Sequence, residues 1–186
     1  MAVELRRRKF TVAEYYEIAR AGVLSEDDRV ELIEGEIMEM VPIGVRHAAC
    51  VRRLIWLFTR TLPGKAIIDV QDPVRLGPHS EPQPDLLLLK NQEDFYAANH
   101  PGPEDVLLVI EVMETSLAYE REVKLPLYAR HGIAEAWLVD LPGEKVVVYS
   151  LPSLQGYGDR QVYKRGQTIS PRAFPEVRIA VNDILG

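Results

Sequence analysis

The sequence is poor in cysteine, in long apolar runs and in surplus positive charge, and each shortage removes a class of protein. Cys50 is the single cysteine. That rules out an internal disulfide and any zinc site built from several thiolates, and it suits a reducing compartment. No apolar run is long enough to cross a bilayer, and no stretch of signal-peptide length follows the basic group Arg6, Arg7, Arg8 and Lys9. A cytoplasmic protein with no membrane partner is expected. The chain carries 22 basic against 28 acidic residues, a net charge of -6. Charge alone will not hold a nucleic acid to such a chain, although an acidic cleft that recruits a divalent cation remains open. Repeats and low-complexity tracts are also missing.

What is present fits a folded domain. At 186 residues, 47% of them hydrophobic, the chain can fill one core and is short for two. A single domain over 1–186 is expected, with 1–9 as a flexible arm. The centre of the pattern is the apolar, β-branched run Val106 to Val112, which reads as a strand buried on both faces. Glu111 interrupts it, and a buried lone carboxylate costs several kcal/mol unless a cation or hydrogen bonds compensate.

Upstream, Thr11 and Glu14 form a capping-box pattern ahead of Tyr15, Ile18 and Ala19, with Gly22 as the stop. Val30 to Met38 reads as a hairpin turning at Glu34, Gly35 and Glu36, with Glu31 and Ile33 on one face. His47 to Leu62 keeps a helical apolar spacing through Val51, Leu54, Ile55 and Phe58. Short strands are expected at AIIDV from Ala66 and PVRL from Pro73, and a buried strand at PDLLLLK from Pro84, which places Asp85 at a strand mouth. After the Glu111 strand a helix is expected from Ser116 towards His131. Pro126 either kinks it or begins a second helix. AWLVD and KVVVYS form a hairpin across Pro142 and Gly143, and RQVYK and VRIAV are weaker strands. The whole reads as a mixed α/β (α+β) domain with a central sheet flanked by helices.

Glu31, Asp85 and Glu111 are each embedded in apolar strand sequence, and Lys124 follows. Two strand carboxylates converging at one end of a sheet make a hard oxygen site for Mg²⁺ or Mn²⁺, and a nearby ammonium can orient a water or stabilise charge on a phosphate. Read singly, these residues have plainer roles. Asp85 could be a turn-forming acid, Glu111 a salt-bridge partner, Lys124 a solvated helix residue paired with Glu120, and Glu31 an exposed hairpin residue. Arg52, Arg53 and Arg60 could be solvated surface or phosphate contacts, and His79 a loop residue.

The ordered set VELIEGE, a helix opened by His47, PQPDLLLL, VIEV, a lysine and GIAEAWLVD resembles the Uma2 (DUF820) family of restriction-endonuclease-like proteins in the PD-(D/E)XK nuclease superfamily. The likeness runs from about Phe10 to Tyr149. It implies a restriction-endonuclease-like mixed sheet and a Mg²⁺- or Mn²⁺-dependent endonuclease acting on nucleic acid, DNA ahead of RNA, as a homo-oligomer (dimer or tetramer). Asp85 and Glu111 would bind metal with the Val112 carbonyl, Lys124 would be the catalytic lysine, and Glu31 would supply the additional N-terminal acid. His47 would contact substrate or hold structure. The usual lysine two residues after the acid is here Met113, so a second reading stands beside the first: a catalytically inactive nuclease-like fold that binds nucleic acid or protein.

Overall fold

Six strands lie side by side, and three neighbouring ones among them are buried on both faces and need covering from above and below. β3 (Ile67–Asp69), β4 (Leu86–Leu89), β5 (Val106–Met113), β6 (Glu135–Asp140), β7 (Lys145–Ser153) and β8 (Gly156–Lys164) follow one another across the sheet. All neighbours are antiparallel except β5 and β6. A parallel pair requires a crossover, and helical segments provide it here. The computed structural model describes residues 7–25, 27–115 and 117–186.

The alternation of β4 and β5 divides the core. Leu86, Leu88, Leu108, Ile110 and Val112 face a cluster completed by α2 (Val45–Thr61) and α5 (Val181–Leu185) through Leu54, Phe58, Val181 and Ile184. Leu87, Leu89, Val109 and Met113 face the opposite cluster with Leu125, Leu127 and Tyr128. Each fully buried leucine or phenylalanine contributes about 2 kcal/mol of transfer free energy, so the two faces together fix strand register. Glu111, between Val109 and Met113, therefore points into the second face.

α1 (Val12–Arg20) starts at the expected capping box: the Thr11 hydroxyl accepts from the Glu14 N–H and a Glu14 oxygen accepts from the Thr11 N–H. β1 (Val30–Ile33) and β2 (Glu36–Glu39) form the expected hairpin. Its two-residue turn has positive φ at Glu34 (48°) and Gly35 (81°), the mirror-type geometry that suits strand twist, so Glu36 belongs to the strand. The hairpin is tied to the loop before β4 by the Glu81 N–H donating to the Leu32 carbonyl at 2.7 Å and the Gly35 N–H to the His79 carbonyl at 2.7 Å. That tie brings Glu31 to the sheet.

Two further expectations need correction, and two are refined. PVRL is no strand: Val74 and Leu76 are buried, but their N–H groups bond to the Pro82 and Ser80 carbonyls in a folded loop, because no neighbouring strand offers a ladder. VRIAV is strand only at Ile179 and Ala180, which form β10 (Ile179–Ala180) paired with β9 (Thr168–Ile169), and its last residue, Val181, opens α5. RQVYK is a strand as expected and forms the end of the longer, nine-residue β8. The helix after β5 is in three parts, α3 (Leu117–Tyr119), a π-helical turn Glu120–Lys124 and α4 (Leu125–Arg130). In the wide turn the Leu125 N–H donates to the Glu120 carbonyl, five residues back. Pro126 follows at the start of α4; it has no N–H to give and would crowd the turn before it. The proposed Ser116 cap lies outside the described residues. So does most of the 1–9 arm, of which Arg7 pairs with Glu36 and Arg8 with Glu14.

Candidate active site

Asp85 stands one residue before β4, where the edge of the sheet opens. Its Oδ2 accepts the Val112 backbone N–H at 2.8 Å and lies 2.9 Å from His47 Nε2. His47 belongs to the first turn of α2, whose N-terminus is covered by Glu114: the His47 N–H donates to Glu114 Oε2 at 3.2 Å. A carboxylate at that position is favoured by the aligned peptide dipoles. Within a strand the N–H and C=O of one residue share an edge. The Val112 carbonyl therefore faces the Asp85 side.

The second half of the site is buried. Lys124 Nζ lies 2.9 Å from Glu111 Oε1, 3.5 Å from Glu31 Oε2 and 3.9 Å from Glu120 Oε2, and it donates to the Gln83 carbonyl at 3.3 Å. Glu31, Glu111 and Lys124 are all at least 97% buried. Glu31 also accepts from the Tyr119 hydroxyl and the Gln83 N–H, each at 2.9 Å. Glu111 Oε1 accepts from the Tyr128 hydroxyl at 2.5 Å. Glu31 is thus no exposed hairpin residue, and Lys124 is no solvated one.

These residues border one cavity of about 500 Å³. Asp85, Glu111, Lys124, Glu31, Val112 and His47 all line it, together with Glu39, Glu114 and Glu120, with Arg29 as a further cation. Negative charge dominates. Burial drives the Glu111 carboxyl well above its ordinary range; Lys124 opposes this, and Glu120 and Asp85 add to it. Burial disfavours the Lys124 ammonium, yet Glu111, Glu31 and Glu120 outweigh that and raise its pKa well above the usual lysine value. Lys124 is therefore charged at neutral pH. His47 behaves similarly: burial pulls its pKa down, and the Asp85 hydrogen bond with the charges of Asp85, Glu114 and Glu120 pushes it above the ordinary value.

Other basic residues of α2 serve elsewhere. Arg53 donates to the Ile184 and Leu185 carbonyls and ties α5 to α2, and Arg60 lies 4.3 Å over the Trp56 ring. His79 sits in its loop against the Phe10 carbonyl at 2.9 Å.

A family model for Uma2, described as "Putative restriction endonuclease", matches residues 12–182. The chain belongs to the Uma2 family. Its fold matches the crystal structure of a "putative nuclease belonging to DUF820" from Anabaena variabilis ATCC 29413, with a TM-score of 0.75 at 18% identity over 95% of this chain and 97% of that one. Comparison with curated proteins finds no match.

In this Uma2 chain the position two residues after Glu111 is filled by Met113, buried in the apolar cluster beside Leu125 and Tyr128. The ammonium reaches Glu111 from the π-helical turn instead. Sequence reasoning did not single out Gln83, Glu114, Tyr119 or Tyr128 as site residues, and it named Glu120 only as a partner for Lys124. Among them the one visible signal was the four-residue spacing of Glu120, Lys124 and Tyr128.

Proposed function

We propose that the chain is a Mg²⁺- or Mn²⁺-dependent endonuclease that hydrolyses phosphodiester bonds of nucleic acid. The observation that carries this reading is the meeting of Asp85, Glu111 and Lys124 in one acidic cavity bordered by strand ends from β4 and β5. Among the described residues no group of three or more His, Cys, Asp or Glu is arranged to hold a metal ion. The donors that meet here are two carboxylates and a backbone carbonyl, with room for water, and Mg²⁺ commonly keeps several waters beside one or two carboxylates. The residues fit the ion. A cavity this acidic would also repel a phosphate unless a cation intervened.

A bound divalent cation would polarise the phosphate and lower the pKa of water. The chain's own residues hold and orient. Asp85 and Glu111, with the Val112 carbonyl, would hold the ion. His47 and the Val112 N–H fix Asp85 through one oxygen, and Lys124 with Tyr128 fixes Glu111. Lys124 keeps its proton at neutral pH, so it serves as a donor that orients the attacking water or stabilises charge on the phosphate, and not as the base. Glu31 holds the ammonium in place. Water attack forms a bond to phosphorus as the bond to the leaving sugar oxygen breaks, the water giving its proton to solvent and the leaving oxygen taking one up.

The family's description as a restriction endonuclease favours DNA over RNA. Two cuts are needed to sever a duplex, so we propose a cytoplasmic homo-oligomer of single-domain chains. Calorimetric titration of Mn²⁺ into wild type and Asp85→Asn, beside plasmid nicking by both, tests the assignment. Loss of binding and nicking in the variant is expected; metal-dependent nicking that survives both Asp85→Asn and Glu111→Gln would overturn it.

One observation favours a second reading, a nuclease-like module that binds without cutting: Lys124 is engaged by three carboxylates while Met113 fills the usual lysine position. Nucleic-acid association that ignores metal and survives Asp85→Asn would support that reading instead.

A further inference from the structure

Tyr128 sits at 0% exposure in the apolar cluster beneath β5, with its hydroxyl 2.5 Å from Glu111 Oε1. Lys124, one helical turn earlier, reaches the same oxygen at 2.9 Å. Residues four apart on a helix share a face, so α4 and the turn before it deliver two donors from one direction onto one carboxylate oxygen. The fully buried neighbours Leu125, Leu127, Leu138 and Val147 are apolar and need no polar partner. A buried phenol without a partner is destabilising, and a phenylalanine would fill almost the same volume. The hydroxyl is therefore informative.

We propose that Tyr128 is a positioning residue that holds the Glu111 carboxylate in the orientation needed for a divalent cation; this rests on the reading of Asp85 and Glu111 as metal ligands. Lys124 alone fixes one oxygen at the end of a long, rotatable stem, and it is shared with Glu31 and Glu120. Tyr128 adds a donor on a rigid ring whose walls are packed. Two donors on Oε1 oppose rotation about the terminal bond of Glu111. Groups that orient a metal ligand without touching the metal commonly change affinity by about ten- to a hundredfold when removed.

The test is Mn²⁺ calorimetry on the full chain for wild type, Tyr128→Phe, Glu111→Gln and Asp85→Asn, with thermal melting of each in the absence of metal. The expected result is that both acid variants abolish binding, while Tyr128→Phe weakens it by about tenfold or more and melts as a cooperative native fold. Tyr128→Phe binding Mn²⁺ with wild-type affinity, while the acid variants abolish it, would overturn the inference and leave the site reading standing. Mn²⁺ binding that survives Asp85→Asn and Glu111→Gln, or is missing from wild type, would overturn the site reading and this inference with it. If Tyr128→Phe melts too early to titrate, Tyr128→Trp offers a bulky ring with a differently placed donor, and wild-type affinity in that variant overturns the positioning role.

Discussion

Replacing Lys124 with methionine removes the ammonium from a pocket where Glu31, Glu111 and Glu120 converge. With an effective dielectric of about 20, the attractions at 2.9, 3.5 and 3.9 Å are about 6, 5 and 4 kcal/mol before desolvation. Desolvation of the ammonium offsets much of this, and removing one partner of a buried pair typically costs about 3–5 kcal/mol net. For a chain of this size that lowers the melting temperature by about 10 °C. The pH dependence gives the sharper signature. Glu111 already has a raised pKa in the folded state, so its contribution is most favourable below the ordinary carboxylate value of about 4.3 and is lost as pH rises through the folded value. Without Lys124 that loss steepens, because the remaining carboxylates face one another. Lys124→Met is therefore expected to lose less stability relative to wild type at pH 5 than at pH 8, read by urea denaturation at both. An equal cost at the two pH values, or none at pH 8, would refute the reasoning.

Further outcomes are expected elsewhere. His47, with a raised pKa, contributes stability that is fully present below about pH 6.5 and is lost as pH rises through its folded value. Its ring resonances in NMR should titrate above that reference and move down in Asp85→Asn, which removes the acceptor charge. Leu54→Ala, at 0% exposure between α2 and the sheet, should cost about 2–5 kcal/mol in urea unfolding. Gly35→Ala places a Cβ 2.5 Å from Lys9 Cβ at φ 81°; the hairpin should lose about 1–3 kcal/mol, seen as an earlier thermal transition.

The two apolar strands were legible because burial on both faces demands unbroken apolar sequence, and a carboxylate inside such a run has few plain explanations. Glu111, Asp85 and Glu31 were singled out on that ground. The helix start at Thr11 followed from its capping pair. PVRL misled because β-branched and apolar residues satisfy a buried loop as readily as a strand when no ladder partner lies beside them. Tyr119 and Tyr128 were invisible for a different reason: a tyrosine on an amphipathic helix reads as packing, and only the three-dimensional position of its hydroxyl separates a wall from a donor. The family likeness named Lys124, whereas its burial and its three carboxylates came from the structure.

The wide turn at Glu120–Lys124 acts as a phase shifter in the crossover between β5 and β6. An α-helix advances 100° per residue, so the extra residue taken up by the π turn sets the angle between Tyr119, which holds Glu31, and the Lys124–Tyr128 face, which holds Glu111. Removing one residue from 121–123 would keep every named side chain yet swing the front of the segment by about 100° relative to its back, parting Tyr119 from Glu31. The two carboxylates are thus coordinated by a count of residues as well as by their identities. In this segment a single-residue deletion that alters no functional group is expected to be as damaging as replacing one.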